Sequence, residues 1–420
     1  MHKNIAVVIL AAGKGERMRS ETPKVLHTVC GRPLLGYVLD LVRDLRASRA
    51  TAVLGYRHEQ VSRIIDPRIK IAIQRRLNGT ADAVRQALPL LKGFKGTVLV
   101  LYGDNPLLKM ETIRKLLERH IRSGSDATLL TATVEKPGGY GRILRDRYSG
   151  ICGIVEDKDA DDFQKEIKEI NTGIVCFNKD KLSDAIRYVK ADNRKKEYYL
   201  TDVIGILYKK GGLISSVKLT DINEALGINS RVELAGANRI MQARINEVLM
   251  KEGITIVDPG SAFISYDAEI GRDTVIYPFT VIESGVKIGR RCFIGPFAHL
   301  REGTSLGDDV IAGNFLEIVR SRLSAKTLAK HFSYIGDAHI GRLVNIGAGT
   351  VTANFDGRNK NITRIEDKAF IGSDTVLVAP VKIGKSARTG AGSIVLKNKN
   401  VPGGSTVAGV PAKLIKKSAR

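Results

Sequence analysis

Two rhythms of hydrophobic positions divide the chain. Over the first half, short β-rich runs alternate with amphipathic stretches: "IAVVIL", then "PLLGYVLDLVRDL", "ATAVLG", "TADAVRQALPLL", "GTVLVLYGD" and "METIRKLLERHI". Such alternation predicts a mostly parallel sheet covered by helices on both faces, with ligands at the carboxyl ends of the strands. Next, "NSRVELAGANRIMQARINEVLMKEG" puts Leu234, Ala237, Met241, Ile245 and Val248 at helical spacing, lacks proline and ends at Gly253, which predicts a long connecting helix. After it the period changes. Ile270, Ile276, Ile282, Ile288, Ile294, Leu300, Leu306, Ala312 and Ile318 fall on every sixth residue, and Ile365, Ile371, Leu377, Ile383, Thr389 and Val395 resume the register. A hexapeptide repeat of this kind builds a β-helix whose stacked strands lie about 4.8 Å apart. Glycine follows the repeat position at Gly271, Gly289, Gly295, Gly341, Gly347, Gly372 and Gly384, where a tight turn beside a buried aliphatic side chain is expected. The register breaks between Val319 and Tyr334 and between Asn354 and Thr363, so loops are expected to protrude there and to carry function. The expected division is residues 1–227, a linker helix over 228–252, and the repeat domain over 253–420.

A chain of 420 residues suits more than one core, and a formal charge of +23 favours anionic partners. Basic residues are spread along the whole chain, and there is no tryptophan and little aromatic content for stacking bases, so nucleic acid is not the expected partner. Cys30, Cys152, Cys176 and Cys292 form no CxxC pair; neither a disulfide framework nor a zinc site is indicated, and a reducing cytoplasm fits. The apolar start is too short for a membrane span or a secretory segment.

The stretch "LAAGKGERMRS" follows the first strand. A glycine-rich turn between strand and helix offers backbone N–H groups to phosphate oxygens, and Arg17 and Lys24 add charge-assisted hydrogen bonds. It matches neither GxxxxGK[ST] nor GxGxxG, and by itself a tight turn with solvated basic residues remains open.

The run "LAAGKGERMRSETPKVLHTVCGRPLL" resembles the activated-sugar nucleotidyltransferases. With "QRRLNGTADA", "VLYGDNPLL", "GYGRI", "IVEDKDA", "EINTGI" and "EYYLTDV" in the same order, and the repeat half behind them, nearly the whole chain is similar to the bacterial family of bifunctional N-acetylglucosamine-1-phosphate uridylyltransferases / glucosamine-1-phosphate acetyltransferases. The resemblance implies an α/β Rossmann-like nucleotidyltransferase domain followed by a left-handed parallel β-helix. It also implies Mg²⁺, the co-substrates UTP and acetyl-CoA, the sugars glucosamine-1-phosphate and N-acetylglucosamine-1-phosphate, and a cytoplasmic homotrimer with acetyl-transfer sites between subunits. The tail past Val410 is then expected to reach a neighbour.

Residue by residue, the resemblance assigns Arg17 and Lys24 to the triphosphate as catalytic groups, and Leu10, Ala11, Gly13, Gln74, Gly79 and Thr80 to UTP. A glutamine amide supplies the donor and acceptor of a pyrimidine edge. Asp104 and Asn229 match the metal ligands; one carboxylate suffices because magnesium completes its shell with phosphates and water. Tyr102, Gly103, Gly141, Glu156 and Asn171 match the sugar positions. Without the family match, Asp104 could cap a turn, Glu156 could be a solvated acid and Gln74 an exposed strand residue. In the repeat half His331 matches the base that takes a proton from the amine, and Glu317 the acid that orients it. Arg301, Tyr334, Asn345 and Lys360 match the sugar-phosphate ligands, Asn354 the residue at the reacting group, and Ser373 and Ala391 acetyl-CoA. His299 and His339 read as structural.

Four positions depart from the family pattern. Glu16 stands where a small hydroxyl residue is usual and should point outward. Val319 replaces a phosphate-binding lysine, for which Arg320 or Arg322 could substitute. Phe355 replaces a tyrosine, and Gly409 a late arginine near the coenzyme, for which Lys413 could serve. These leave a rival open, a uridylyltransferase whose β-helix is only a trimerising scaffold. A basic nucleic-acid-binding protein is the second rival and gives no reason for Asp104 with Asn229.

Overall fold

The computed structural model describes residues 4–415. The chain divides into two compact units, Met1–Asn238 and Arg239–Arg420. In the first, strands Lys70–Ile73, Arg49–Leu54, Ile5–Ala11 and Thr97–Tyr102 run parallel side by side. Ile5–Ala11 is buried along its whole length, as a central strand covered on both faces must be. Its alternate side chains feed two separate cores: Ala6, Val8 and Leu10 join Ala81 and Val84, while Ile5, Val7, Ile9 and Ala11 join Leu35 and Val38. The sheet is mixed. Strand Glu169–Asn178 runs antiparallel between Thr97–Tyr102 and Ala127–Thr133, and also receives the hairpin Arg142–Arg145/Ile151–Val155. Leu10 pairs with Tyr102, so the Gly13 loop and the Asp104 turn leave adjacent strands at the same end.

The helix Arg231–Lys251 follows. Its second half is tied to the first coil of the repeat unit: Asn246, fully buried, donates to the carbonyl of Pro259 at 2.8 Å, and Gln242 donates to that of Ile264 at 3.2 Å. Among the described residues no helix is long and apolar enough to cross a membrane.

The second unit is a parallel β-helix. Each coil contributes one short strand to each of three sheets, and the aliphatic repeat positions stack inward: Ile276, Ile294, Ala312, Ala329, Ile346 and Ile371 lie directly over one another. We call the face through Phe293 and Asn345 the first, that through Glu317 and Tyr334 the second, and that through Arg322 and His339 the third.

Two expectations change. The glycines after the repeat position are mostly needed for close approach rather than for a left-handed turn: a Cβ on Gly372 would lie 2.6 Å from the carbonyl oxygen of Thr389 on the next coil. The left-handed corner positions are instead often filled by Asp273, Arg291, Phe297 and Asp309. Nor does a loop protrude between Val319 and Tyr334. The corner from second to third face is shortened there by one residue, and again between Tyr334 and His339, so Glu317 stacks on Tyr334 and Arg322 on His339 without interruption. Only the third break, over residues 354–362, is a loop. All three irregularities therefore lie at the same corner of successive coils.

Candidate active sites

The loop after the first strand is shaped around Lys24. Gly15 has φ 71°, and a Cβ there would fall 2.6 Å from that of Lys24. Arg17 is exposed on the short turn Glu16–Met18, and Gly13 is open, with nothing near its missing Cβ. Glu16 points outward as expected, 3.7 Å from Lys14 with its side chain 81 % exposed. The carbonyl of Leu10 accepts from the Gly103 N–H at 2.9 Å, and Ala11 packs against Gly103.

Lys24 reaches across to two remote segments. Its ammonium is hydrogen-bonded to Asp104 and donates to Asn229 Oδ1 at 2.9 Å, with Lys24 and Asp104 both largely buried. The Asn229 segment is fixed from both sides: the Ile228 N–H donates to the Asp104 carbonyl at 3.0 Å, and Glu233 accepts from the N–H groups of Asn229 and Ser230 at 2.5 and 2.9 Å, closing the start of the helix. Arg231 continues the link, with its Nε donating to the Met18 carbonyl at 3.3 Å. One carboxylate and one amide oxygen thus converge on a single cation, here the lysine ammonium. That hard-oxygen pair suits a magnesium ion that draws the rest of its shell from phosphates and water. Among the described residues no cluster of three or more His, Cys, Asp or Glu could hold a metal without such help.

Gln74 is buried, and its amide nitrogen is already engaged, donating to the Gly79 carbonyl at 3.0 Å and to Asp82 at 2.8 Å. What it has to offer a base edge is its carbonyl oxygen, the acceptor half only. Gly79 has φ 107° and no room for a Cβ, which would lie 2.5 Å from the Tyr198 carbonyl oxygen. Thr80 Oγ1 accepts from the Leu200 N–H at 2.9 Å, which seats "EYYLTDV" against "NGTADA".

Of the sugar candidates, Tyr102 and Asn171 line a small cavity together with Ile154 and Thr201. Thr201 donates to Glu156 at 2.9 Å, the Asn171 N–H donates to the Gly141 carbonyl at 2.8 Å, and a Cβ on Gly141 would press on Ile154 at 3.0 Å. Burial raises the Glu156 carboxyl above its ordinary range, and burial with the neighbouring Glu156 and Asp159 charges lifts Asp202 to about 6. The sequence reading missed Arg142. This arginine, 2 % exposed, bonds the Tyr140 carbonyl and Asp157 (2.9 Å), and so ties the Gly141 turn to the Glu156 loop. An arginine inside "GYGRI" looks like a solvated residue, and only the fold shows it buried.

In the β-helix, the irregular corner gathers a polar cluster. Arg301 donates to Glu317 at 2.8 Å. Arg320 grips Asp337 with two hydrogen bonds of 2.7 and 2.8 Å, and the Asn354 amide donates to the same carboxylate. The Arg320 bond, then the Asn354 bond and the Lys360 charge, hold Asp337 below the usual carboxylate range. Gly336 makes the space: a Cβ there would lie 2.5 Å from the Tyr334 hydroxyl and 2.8 Å from the Asn354 amide nitrogen. Lys360 sits exposed on the 354–362 loop, whose turn Asp356 ties by accepting from the Asn359 N–H at 2.8 Å and the Asn361 amide at 2.9 Å. Asp337 and Gly336 were missed because "IGDAHIG" reads as one more repeat.

His331 lies at a different corner, between first and second faces. Strand pairing puts His331, Ser373, Ala391 and Gly409 at the same place in their coils, each two residues past Ala329, Ile371, Thr389 and Val407. Asn345 is on the first face. Within one chain, Glu317 and His331 are not hydrogen-bonded: the carboxylate is taken by Arg301 and the imidazole stands exposed. Beside His331 runs a ladder of exposed phenylalanines, in which Phe297 stacks on Phe279 and Phe315 with centroids 4.9 Å apart, continuing to Phe332.

The departures resolve unevenly. Val319 is buried, Arg320 is engaged by Asp337 through Nε and one terminal nitrogen, and Arg322 is on the third face. Phe355 is exposed. Lys413 is exposed and pairs with Ala408, next to Gly409. Past Val410, Lys413–Leu414 pairs antiparallel with Thr406–Ala408 of its own chain, and the rest of the tail expected to reach a neighbour, residues 416–420, lies outside those described. His299 bonds Glu283 at 2.8 Å.

Residues 7–196 match the MobA-like NTP transferase domain, 267–302 the bacterial transferase hexapeptide (six repeats), and 362–397 the hexapeptide repeat of succinyl-transferase. The Bifunctional protein GlmU of Geobacillus sp. (strain WCH70) is 44 % identical over 92 % of this chain and 92 % of its own length. That of Pelotomaculum thermopropionicum is 45 % identical over 90 % of each, and that of Thermosipho africanus 44 % identical over 93 % of this chain and 92 % of its own. With both kinds of domain matched and the similarity running nearly end to end, the chain belongs to the family of bifunctional GlmU proteins.

Proposed function

We propose that the repeat half acetylates glucosamine-1-phosphate from acetyl-CoA, and that the first unit couples the resulting N-acetylglucosamine-1-phosphate to UTP, giving UDP-N-acetylglucosamine and pyrophosphate. The observation that carries the second step is the convergence of Asp104 and Asn229, from distant segments, on one cation. In that step a phosphate oxygen of the sugar attacks the α-phosphorus and pyrophosphate leaves. A phosphate monoester is already ionised near neutrality, with a second pKa of about 6, so no general base is needed. What remains is charge neutralisation and in-line positioning. Asp104 and Asn229 would hold the magnesium ion, whose charge offsets that of the phosphates. Lys24 and Arg17 bind triphosphate oxygens, the Gly13 loop presents N–H groups, and Gln74 accepts from the base edge. Glu156, Asn171 and the Gly141 turn orient the sugar.

In acetyl transfer His331 takes the amine proton, the amine nitrogen bonds the thioester carbonyl carbon, and coenzyme A leaves with its sulfur. Ser373, Ala391 and Gly409 share a corner with His331, which supports a coenzyme lying along that edge. Arg301, Tyr334, Asn354 and Lys360 bind the sugar phosphate and the reacting group. Three features support a trimer: the separation of His331 from Glu317, the placement of Asn345 on another face, and the exposed phenylalanine ladder. Each acetyl-transfer site would then be completed by a neighbour.

The experiment is a pair of assays on one preparation with Mg²⁺: pyrophosphate from UTP plus N-acetylglucosamine-1-phosphate, and free thiol from acetyl-CoA plus glucosamine-1-phosphate. Both signals are expected. Pyrophosphate without thiol would reduce the β-helix to a scaffold, and neither signal would overturn the proposal.

A further inference from the structure

The third face of the β-helix carries a ladder that neither reaction uses. Arg322, His339, Arg364 and Lys382 are directly in register on four successive coils. Rungs of a β-helix lie about 4.8 Å apart, and like charges on adjacent rungs repel. Earlier on the same face the chain neutralises such a rung: Lys287 pairs with Glu269, its register partner, at 2.8 Å. Here it does not. Lys382 alone has a carboxylate, Glu366 at 2.7 Å. Among the described residues Arg322 and Lys385 form no ion pair, and Arg364 bonds only the uncharged acceptor nitrogen of His339, Nδ1, at 3.3 Å. That contact leaves the imidazole proton on Nε2, so His339 is also a donor.

These groups line one groove of about 780 Å³, with four cationic side chains against the carboxylates of Glu366 and Asp367. We infer that this groove is a binding site for a small polyphosphate anion, separate from both reaction centres. The guanidinium groups of Arg322 and Arg364, two rungs apart with His339 between them, can each take phosphate oxygens in bidentate fashion, as the separate phosphates of one polyphosphate require. The volume is that of a small-molecule site. Glu366 and Asp367 within the lining disfavour a continuous polyanion or a bilayer, whose charge would run on across them. Part of the surplus positive charge of the chain is thereby given a use.

Calorimetric titration of the full chain with inorganic tripolyphosphate, and in parallel with ADP, tests the inference. Both catalytic sites also accept phosphates, so the readout is the difference made by Arg322→Ala/Arg364→Ala. This variant is expected to lose one binding transition, or to weaken it at least tenfold, while both transfer rates without added polyphosphate stay at wild-type values; Arg17→Ala should retain that transition. A transition stronger with ADP identifies the occupant as a nucleotide, and one stronger with tripolyphosphate as free polyphosphate; either supports the site. If the double variant does not fold, Arg322→Lys/Arg364→Lys replaces it, and a weakened transition is again expected. Unchanged binding in the folded variant, or a loss confined to polynucleotides or anionic vesicles, overturns the inference.

Discussion

Arg320 holds Asp337 through two parallel hydrogen bonds, Nε to Oδ1 at 2.7 Å and a terminal nitrogen to Oδ2 at 2.8 Å. The same carboxylate receives the Asn354 amide, so one acid sets the direction of a residue proposed to meet the reacting group. Asp337→Asn keeps the shape but removes the charge. Its kcat for thiol release should fall about 10- to 100-fold, with pyrophosphate release unchanged. An unchanged kcat would show that Asn354 needs no such support.

Gly336→Ala tests the same corner by volume alone. The new methyl would meet the Tyr334 hydroxyl and the Asn354 amide, neither of which can retreat without losing its place. Thiol release should drop at least about tenfold while the chain still folds, since side chains rather than backbone absorb the clash. Wild-type acetyl transfer in this variant would remove Tyr334 and Asn354 from the site.

Two further variants separate the reactions. His331→Ala should abolish thiol release and spare pyrophosphate release, and Asp104→Ala should do the reverse. Loss of both activities in either folded variant would contradict two independent sites.

Asp202 gives a pH dependence. Its carboxyl is lifted from 3.8 to about 6 by burial and by Glu156 and Asp159, so the native state holds the proton more tightly than the unfolded chain. Stability therefore falls as pH rises from about 4 to about 6 and stays reduced above that. Asp202 is only partly buried, which limits the effect to about 1 kcal/mol. Asp202→Asn should be more stable than wild type by that amount at pH 8 in urea denaturation, with the gap closing at pH 4. A gap independent of pH would assign the effect to something other than ionisation.

Much of this was legible in the sequence because period and spacing are local. The six-residue period located the inward stack of Ile276, Ile294 and Ile371, and the glycine-rich run after the first strand marked the tight turn at Gly15. What stayed hidden depends on partners brought from afar. The one-residue shortening at Arg320 looked like a loop, and that at Asp337 like an ordinary repeat, because register is a property of stacked coils, not of one stretch. Burial of Arg142 and the commitment of the Gln74 amide to Gly79 and Asp82 are likewise set by segments the local pattern does not reveal.

The most direct test of the account is a crystal of the full chain soaked with UTP and magnesium. The account predicts the triphosphate against the Gly13 loop with Arg17 and Lys24 on its oxygens, and the ion bound by Asp104 and Asn229. A nucleotide bound elsewhere, or an ion touching neither residue, would contradict it.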